Sequence, residues 1–301
     1  MAGLKLIRNI NKRNVLFSTF FALFVVYFLY PREVLDAPLE PPLSNIINKG
    51  ASSSKHTLCV LVPFRNVFGE LMDFIPHMNA FLKRQKIKFY FIIVHHVSDG
   101  NQFNRGSTFN AGVQFITEDF QDCDYLALHD IDLLPLSDDI SYAYPGDTVL
   151  HMKKVDNTIS GFEYDPLIFA GGILLISIEQ YTRVNGFSNR FWGCEGEDIN
   201  FDYRLSNNSV TKTHPINLST GDNDTFKWIH SPNRAKDHYI HCAASDVDEI
   251  KKHDSETGLH DVKYKLVSVR YFDMNEIPFT MYNIKITCNV TETPWCKPNI
   301  Y

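Results

Sequence analysis

Two carboxylates, Asp130 and Asp132, stand directly after an apolar run that begins at Tyr125. In a β-strand, residues i and i+2 point to the same side, so an extended run would project both carboxylates at its C-terminal end. Carboxylate oxygens are hard ligands, and this position suits a divalent cation that bridges two phosphates of a substrate. Asp-x-Asp also occurs in ordinary solvated turns, so the spacing by itself leaves a metal site and a simple turn both open.

Alternating strands and helices are predicted to hold this pair of carboxylates. The hydrophobic pattern predicts strands at residues 58–62, 89–94, 125–128 and 282–287, and helices at residues 70–83 and 105–115. This alternation indicates an α/β fold with a mainly parallel central sheet, and residues 58–301 form the folded body. Substrates bind such sheets beyond the C-terminal ends of the strands, where Asp130 and Asp132 are expected to lie.

The composition is that of a globular protein and argues against a nucleic-acid partner. Hydrophobic residues make up 44% of the 301 residues and charged residues 21%, which is enough for a packed core. The formal net charge is −6, whereas binding to nucleic-acid phosphates requires a clustered basic face. We therefore expect no nucleic-acid partner.

The N-terminus is predicted to anchor the protein in a membrane. Residues 15–30 are apolar apart from two hydroxyl side chains, and four cations precede them against one, Arg32, just after. This charge bias predicts a cytoplasmic tail at residues 1–14, a transmembrane signal anchor at 15–30 and a proline-containing lumenal stem at 31–57. The run is short for a membrane span, so a cleaved signal peptide is the alternative, and it would also deliver the body to the lumen.

The cysteines of a lumenal protein can form disulfides. Cys59 and Cys123 each stand at the start of a predicted strand, so a bridge between them forms if those strands are parallel neighbours. Cys288 and Cys296 flank a short loop, and a bridge between them is the preferred pairing there. Cysteine counting does not give connectivity. Two cysteines remain unassigned: Cys194 and Cys242.

Several motifs occur in an order that is similar to one family of enzymes. They are Pro63-Phe-Arg65, Phe103-Asn-Arg105, His129-Asp-Ile-Asp-Leu-Leu-Pro135, Gly171-Gly172, Asn185-Gly-Phe-Ser-Asn-Arg-Phe-Trp-Gly193 and Glu197-Asp198. In order and spacing these motifs resemble the β-1,4-galactosyltransferase family, over nearly all of residues 58–301. Val262-Lys-Tyr264 and the ending Cys288 to Cys296 look like the xylosylprotein branch of that family.

The resemblance implies a GT-A-type nucleotide-sugar-binding fold behind a single transmembrane helix. It also implies inverting transfer of galactose from UDP-galactose to the 4-hydroxyl of a terminal sugar. The expected acceptor is the xylose of a xylosylated proteoglycan core protein, with another glycan acceptor as the alternative. The expected location is the Golgi membrane, as a single-pass type II protein whose catalytic domain is lumenal.

The resemblance also gives residues their roles. Asp198 matches the catalytic base, a role that a carboxylate fills by accepting the proton of an attacking hydroxyl. Asp132 and His230 match the ligands of Mn²⁺, which acts as a Lewis acid on the departing diphosphate. The acceptor-binding positions are Trp192, Gly193, Glu197 and Asp198. The donor- and nucleotide-binding positions are Pro63, Phe64, Arg65, Phe103, Asn104, Arg105, Asp130, Ile131, Phe169 and Gly172.

Three departures from the family pattern bear on the activity. Trp228 stands where the xylosylprotein branch has a second histidine, and Cys194 replaces the tryptophan of a closing loop. Phe169 occupies the position of a tyrosine that helps to distinguish galactose from N-acetylgalactosamine. The alternatives are therefore a galactosyl- or N-acetylgalactosaminyltransferase acting on N-acetylglucosamine glycans, or a weakly active lumenal sugar-binding homologue.

Overall fold

The computed structural model describes most of the predicted folded body, with some gaps. The described residues are 55–152, 170–193, 196–215, 225–229 and 254–298. The predicted anchor at 15–30 lies outside them, as do Phe169, Cys194, His230 and Cys242. Within the described ranges, no helix is both long enough and apolar enough to cross a membrane.

Helices and strands alternate along most of the described chain. The helices are α1 (Phe68–Arg84), α2 (Arg105–Asp119), α3 (Ile178–Arg183) and α4 (Glu197–Asn207). The strands are β1 (Thr57–Phe64), β2 (Lys88–His96), β3 (Tyr125–His129), β4 (Leu133–Pro135), β5 (Val149–His151), β6 (Ile173–Ser177), β7 (Lys212–Thr213), β8 (Phe226–Trp228), β9 (Tyr264–Asp273) and β10 (Pro278–Ile286). A 3₁₀ helix spans Pro294–Cys296.

The main sheet has the strand order β7-β5-β6-β3-β1-β2-β10-β9, and β4 pairs with β8 in a second, two-stranded sheet. At the centre, β3, β1, β2 and β10 are parallel, and α1 and α2 are the crossovers that join β1 to β2 and β2 to β3. The prediction of a mainly parallel central sheet is confirmed, and the antiparallel pairs lie on the flanks. There, β6 runs antiparallel to both β3 and β5, and β9 runs antiparallel to β10.

The antiparallel flank at β9 and β10 comes from a tight hairpin. Asn275 and Glu276 form its two-residue turn with φ values of 53° and 67°, the left-handed conformation that hairpin turns favour. Met274 and Ile277 close the turn by exchanging backbone hydrogen bonds of 3.0 and 3.1 Å. Two strands joined in this way must be antiparallel, a geometry that hydrophobic pattern does not reveal.

The core lies between the central sheet and the helices on its two faces. On one face Phe74 of α1 meets Phe91 of β2 edge to face, with ring centroids 6.3 Å apart. On the other face α2 packs so closely that a Cβ atom on Gly112 would lie 2.5 Å from Cδ1 of Leu61 and 2.9 Å from Cγ2 of Val94. Gly112 therefore allows this contact, and a larger residue would push α2 away from the sheet.

Two disulfides join elements near the sheet, and both predicted pairings are confirmed. Cys59 of β1 is bonded to Cys123, which lies just before β3, with their Cα atoms 6.0 Å apart. The strands β1 and β3 are parallel neighbours, which is the condition on which that prediction depended. Cys288 is bonded to Cys296.

Candidate active site

The predicted site residues gather at the C-terminal edge of the central strands. Arg65 follows β1, Arg105 begins α2 after the loop that leaves β2, and Asp130 follows β3. Glu197 and Asp198 form the first turn of α4, a helix end that favours negative charge. The parallel centre of the sheet brings these residues together from positions far apart in sequence.

Arg105 links three of the carboxylates. Its Nε and Nη2 atoms lie 2.9 and 2.8 Å from Oδ1 of Asp130. Its Nη1 atom donates to Oδ1 of Asp198 at 2.7 Å and to Oε1 of Glu197 at 3.3 Å. The guanidinium also lies 4.9 Å from the ring centroid of Phe109, a cation–π contact that adds to its orientation. Three predicted site residues are thus held by one side chain.

The charges of this cluster do not balance, because three carboxylates surround one guanidinium. Burial, and next the charge of Asp198, raise the pKa of Glu197 to about 8. Burial also raises the pKa of Asp198, but Arg105 opposes this shift through its charge and its hydrogen bond. Asp198 receives the shorter of the two bonds from Arg105, which favours its ionised form. With a pKa of about 8, Glu197 is mostly protonated near neutral pH, and Asp198 is the carboxylate that Arg105 stabilises.

The strand geometry predicted for Asp130 and Asp132 is wrong, because β3 ends at His129, before either carboxylate. The Asp130 N–H donates to the carbonyl of Gly172 at 3.0 Å, and the Asp130 carbonyl accepts from Nδ1 of His129 at 2.7 Å. Asp130, Ile131 and Asp132 therefore form a turn, in which the alternation of a strand does not orient the side chains. The Asp130 side chain faces Arg105.

Asp132 is only 8% exposed and lies beside the strand that leads to His230. The Asp132 carbonyl accepts from the N–H of Ile229 at 2.9 Å, next to the pairing of Leu133 with Trp228. His230 itself lies outside the described residues, and among the described residues no three His, Cys, Asp or Glu side chains form a metal-binding group. The carboxylate of Asp132 is an oxygen ligand that fits a Mn²⁺ site completed by substrate oxygens.

The predicted nucleotide-binding positions lie on the loop between β2 and α2 and on residues next to it. Nη2 of Arg65 donates to the carbonyl of Asn101 at 2.8 Å, which ties the end of β1 to the loop between β2 and α2. Asn104 caps α2 by accepting from the N–H of Ser107 at 2.7 Å, and its Nδ2 donates to the carbonyl of Asn189. Pro63 and Phe64 belong to β1, beside Val94 and His95 of β2. These contacts make the loop a fixed surface.

Trp192 is buried behind this loop, whereas Gly193 is exposed beside it. Trp192 is only 3% exposed, and its ring centroid lies 6.0 Å from that of His96. Gly193 has φ +66°, and its N–H donates to the carbonyl of Phe103 at 2.7 Å. A Cβ atom on Gly193 would lie 2.8 Å from Oε1 of Gln102, so this position requires glycine. Trp192 packs on His96, and Gly193 binds the carbonyl of Phe103, so both predicted acceptor-binding residues support the loop that carries the predicted donor-binding positions.

Two supporting residues of the site were missed by sequence reasoning. His129 binds the Asp130 carbonyl, and Tyr142 donates its hydroxyl to Nε2 of His129 at 2.9 Å. The position of His129 directly before the two carboxylates was the available signal for its role. Tyr142 lies in an irregular segment after β4, and no periodicity or spacing in the sequence indicates its contact.

The chain matches two family descriptions from the same group of enzymes. The N-terminal region of glycosyl transferase group 7 matches residues 48–145, and the N-terminal domain of galactosyltransferase matches residues 154–231. Beta-1,4-galactosyltransferase 7 of Drosophila melanogaster is 40% identical over 81% of this chain and 74% of its own length. Xylosylprotein 4-beta-galactosyltransferase of Caenorhabditis elegans is 35% identical over 81% of this chain and 83% of its own length.

A solved structure is similar in fold as well as in sequence. It is a mutant of the Drosophila β-1,4-galactosyltransferase 7 in complex with manganese, UDP-Gal and xylobiose. The likeness has a TM-score of 0.72 at 39% sequence identity and covers 80% of this chain and 99% of that one. The described fold is therefore GT-A-like, with a mixed sheet whose centre is parallel.

Proposed function

Since this chain belongs to the β-1,4-galactosyltransferase family, glycosyl transferase group 7, we propose that it transfers galactose from UDP-galactose to the 4-hydroxyl of a terminal xylose. The single observation that carries the proposal is the cluster in which Arg105 holds Asp130, Glu197 and Asp198 together. Asp130 is the proposed donor-side carboxylate, and Glu197 and Asp198 are the proposed acceptor-side pair. Their contact with one guanidinium suits a reaction that joins two substrates. The xylobiose bound to the Drosophila relative supports xylose as the acceptor.

The reaction inverts the sugar in a single displacement. The acceptor 4-hydroxyl oxygen forms a bond to C1 of galactose while the bond from C1 to the diphosphate oxygen breaks. The carboxylate of Asp198 takes the hydroxyl proton, and the electron pair of the broken bond leaves on UDP. Glu197, protonated near neutral pH, can donate a hydrogen bond that orients the acceptor sugar. Arg105 holds Asp130 and Asp198 in place through charge-assisted hydrogen bonds, which balance its positive charge.

Mn²⁺ is the proposed cofactor. When bound, the ion supplies a Lewis acid that stabilises the negative charge developing on the diphosphate. Asp132 and His230 would hold it, together with phosphate oxygens of the donor. The contact between Ile229 and Asp132 supports this pair, because it brings the chain to within one residue of His230 beside Asp132.

The biological setting follows from the acceptor and the predicted anchor. A terminal xylose is the sugar of the proteoglycan linker, so the proposed partner is a xylosylated proteoglycan core protein. The proposed location is the Golgi membrane, with residues 15–30 as the single span and the catalytic domain in the lumen. Protease protection of intact microsomes tests this topology: the body should resist digestion until detergent is added.

A matrix of donors and acceptors tests the activity. The full chain in detergent is assayed with UDP-galactose and UDP-N-acetylgalactosamine, each against β-xyloside and N-acetylglucosaminide acceptors, with Mn²⁺ or with EDTA. We expect transfer of galactose to the β-xyloside, with Mn²⁺ only. Preference for the N-acetylglucosaminide would replace the proposed acceptor. Sugar binding without any turnover would instead support a non-catalytic homologue.

A further inference from the structure

We propose that His129 and Tyr142 are positioning residues that hold the metal-binding turn of Asp130, Ile131 and Asp132 in its working shape. The inference rests on the proposed function, because it concerns the turn that carries the Mn²⁺ ligand Asp132. Neither side chain is proposed to touch the metal or a substrate. They act through the backbone of Asp130.

The hydrogen bonds from His129 have only one consistent direction. Nδ1 lies 2.7 Å from the carbonyl oxygen of Asp130, and a carbonyl oxygen can only accept. Nδ1 therefore carries the proton. In the neutral ring Nε2 is then an acceptor, and the hydroxyl of Tyr142 donates to it at 2.9 Å. The chain of bonds runs from Tyr142 through His129 to the Asp130 carbonyl.

Burial keeps this chain of bonds intact and uncharged. His129 is fully buried, and burial lowers its pKa to about 4, so its ring is neutral at working pH. Tyr142 is also fully buried, and burial raises the pKa of its hydroxyl far above the ordinary value. Phe74 packs edge to face on the imidazole, with centroids 5.0 Å apart. Because both groups are removed from solvent, water cannot easily replace a lost partner.

Tyr142 is itself held from three sides. Its N–H donates to Oε1 of Gln85 at 2.9 Å, and Nε2 of the same Gln85 donates to the carbonyl of Ile140 at 2.6 Å. Its carbonyl accepts from the hydroxyl of Tyr125 at 2.8 Å. These bonds connect the Tyr142 backbone to Gln85, directly after α1, and to Tyr125 of β3. They fix the position of the Tyr142 side chain, which in turn orients the imidazole of His129.

The opposite side of the turn is tied to the donor side of the site. The Asp130 N–H donates to the carbonyl of Gly172, which has φ +81°, while the Asp130 carboxylate accepts from Arg105. The Asp130 carbonyl accepts two bonds, a short one from Nδ1 of His129 at 2.7 Å and a long one from the N–H of Leu133 at 3.4 Å. If the short bond is lost, only the long bond restrains this carbonyl, so the peptide between Asp130 and Ile131 can rotate and Asp132 leaves the position needed for the metal.

Four variants of the full chain test the inference. His129→Leu keeps the site apolar but removes the donor, whereas the amide of His129→Asn can donate from nearly the place of Nδ1. Tyr142→Phe removes the hydroxyl behind the imidazole. Tyr282→Phe is the matched control, since Tyr282 is a buried tyrosine whose hydroxyl binds Asp119 at 2.5 Å, away from the turn.

Mn²⁺ binding is measured directly by electron paramagnetic resonance of the free ion in the presence of UDP, next to the kinetic constants and a thermal melt. Loss of one buried hydrogen bond, worth on the order of 1–1.5 kcal/mol, predicts about tenfold weaker Mn²⁺ binding in His129→Leu. A smaller loss in Tyr142→Phe is expected, with recovery in His129→Asn. The KM for UDP-galactose should rise more than kcat falls.

Two results from the variants would overturn the inference. In one, His129→Leu binds Mn²⁺ as wild type does while its melting temperature falls, which indicates a purely structural residue. In the other, Tyr282→Phe weakens Mn²⁺ binding as much as Tyr142→Phe, which indicates a general effect of destabilisation. A wild-type protein that binds no Mn²⁺ with UDP present would overturn the proposed cofactor, and this inference with it.

Discussion

Replacing Asp198 by asparagine removes the proposed base and little else. The asparagine keeps an oxygen in place of the one that accepts from Nη1 of Arg105 at 2.7 Å, so the contact that organises the cluster can survive. The variant also removes one of three carboxylates around a single guanidinium, which lowers their mutual repulsion. We therefore expect Asp198→Asn to fold with a melting temperature no lower than that of the wild type.

Turnover should fall because an amide cannot accept the acceptor proton. Loss of a general base costs at least about a hundredfold in rate, or roughly 2.7 kcal/mol in the activation barrier. Binding of UDP should remain near normal, because the donor-binding positions lie on the loop held by Arg65 and Asn104. The assay is single-turnover transfer of galactose to a β-xyloside, with calorimetric titration of UDP beside it.

A second carboxylate on the same helix provides the control. Asp202 of α4 is bonded to Lys212 and does not belong to the Arg105 cluster, so Asp202→Asn should keep turnover within about threefold of wild type even if it melts earlier. A well-folded Asp198→Asn protein that turns over within tenfold of wild type would refute the assignment of the base. So would an equal loss of turnover in Asp202→Asn.

Three further outcomes are expected. The pKa of Glu197 is raised to about 8, so the stability that its protonated form contributes is complete below its ordinary pKa and is lost as pH rises through about 8. Glu197→Gln does not lose this stability, so its melting temperature should rise relative to that of the wild type over this pH range. A constant difference between the two melting temperatures would contradict the raised pKa. Trp228→His should tighten Mn²⁺ binding, because an imidazole two residues before His230 can join Asp132 as a ligand. Trp228 is 41% exposed, so part of it packs on the protein and a thermal melt must first show that the variant folds; an unchanged Mn²⁺ dependence in the folded variant would mean that β8 does not approach the metal. Phe169→Tyr should shift the ratio of kcat/KM values towards UDP-galactose over UDP-N-acetylgalactosamine, and an unchanged ratio would remove Phe169 from the donor site.

The sequence by itself determined the central elements, and its resemblance to a family supplied the predicted roles of the reacting groups. The apolar run of β1 and the helical spacing of α1 are local patterns, and each appears in the structure with ends extended by a few residues. Asn104 begins α2 because its side chain accepts from a nearby N–H, which is also a local effect. The pairing of Cys59 with Cys123 followed once parallel neighbouring strands were assumed.

Only the tertiary structure decided how the carboxylates are used. Asp130 turns towards Arg105 because β3 ends at His129, whose ring binds the next carbonyl, and strand alternation could not reveal that. The raised pKa of Glu197 depends first on burial, which the unfolded chain lacks. Arg105 contacts Asp130 and Asp198 from 25 and 93 residues away, and the energies of these contacts depend on depth in the fold, so no local pattern encodes them.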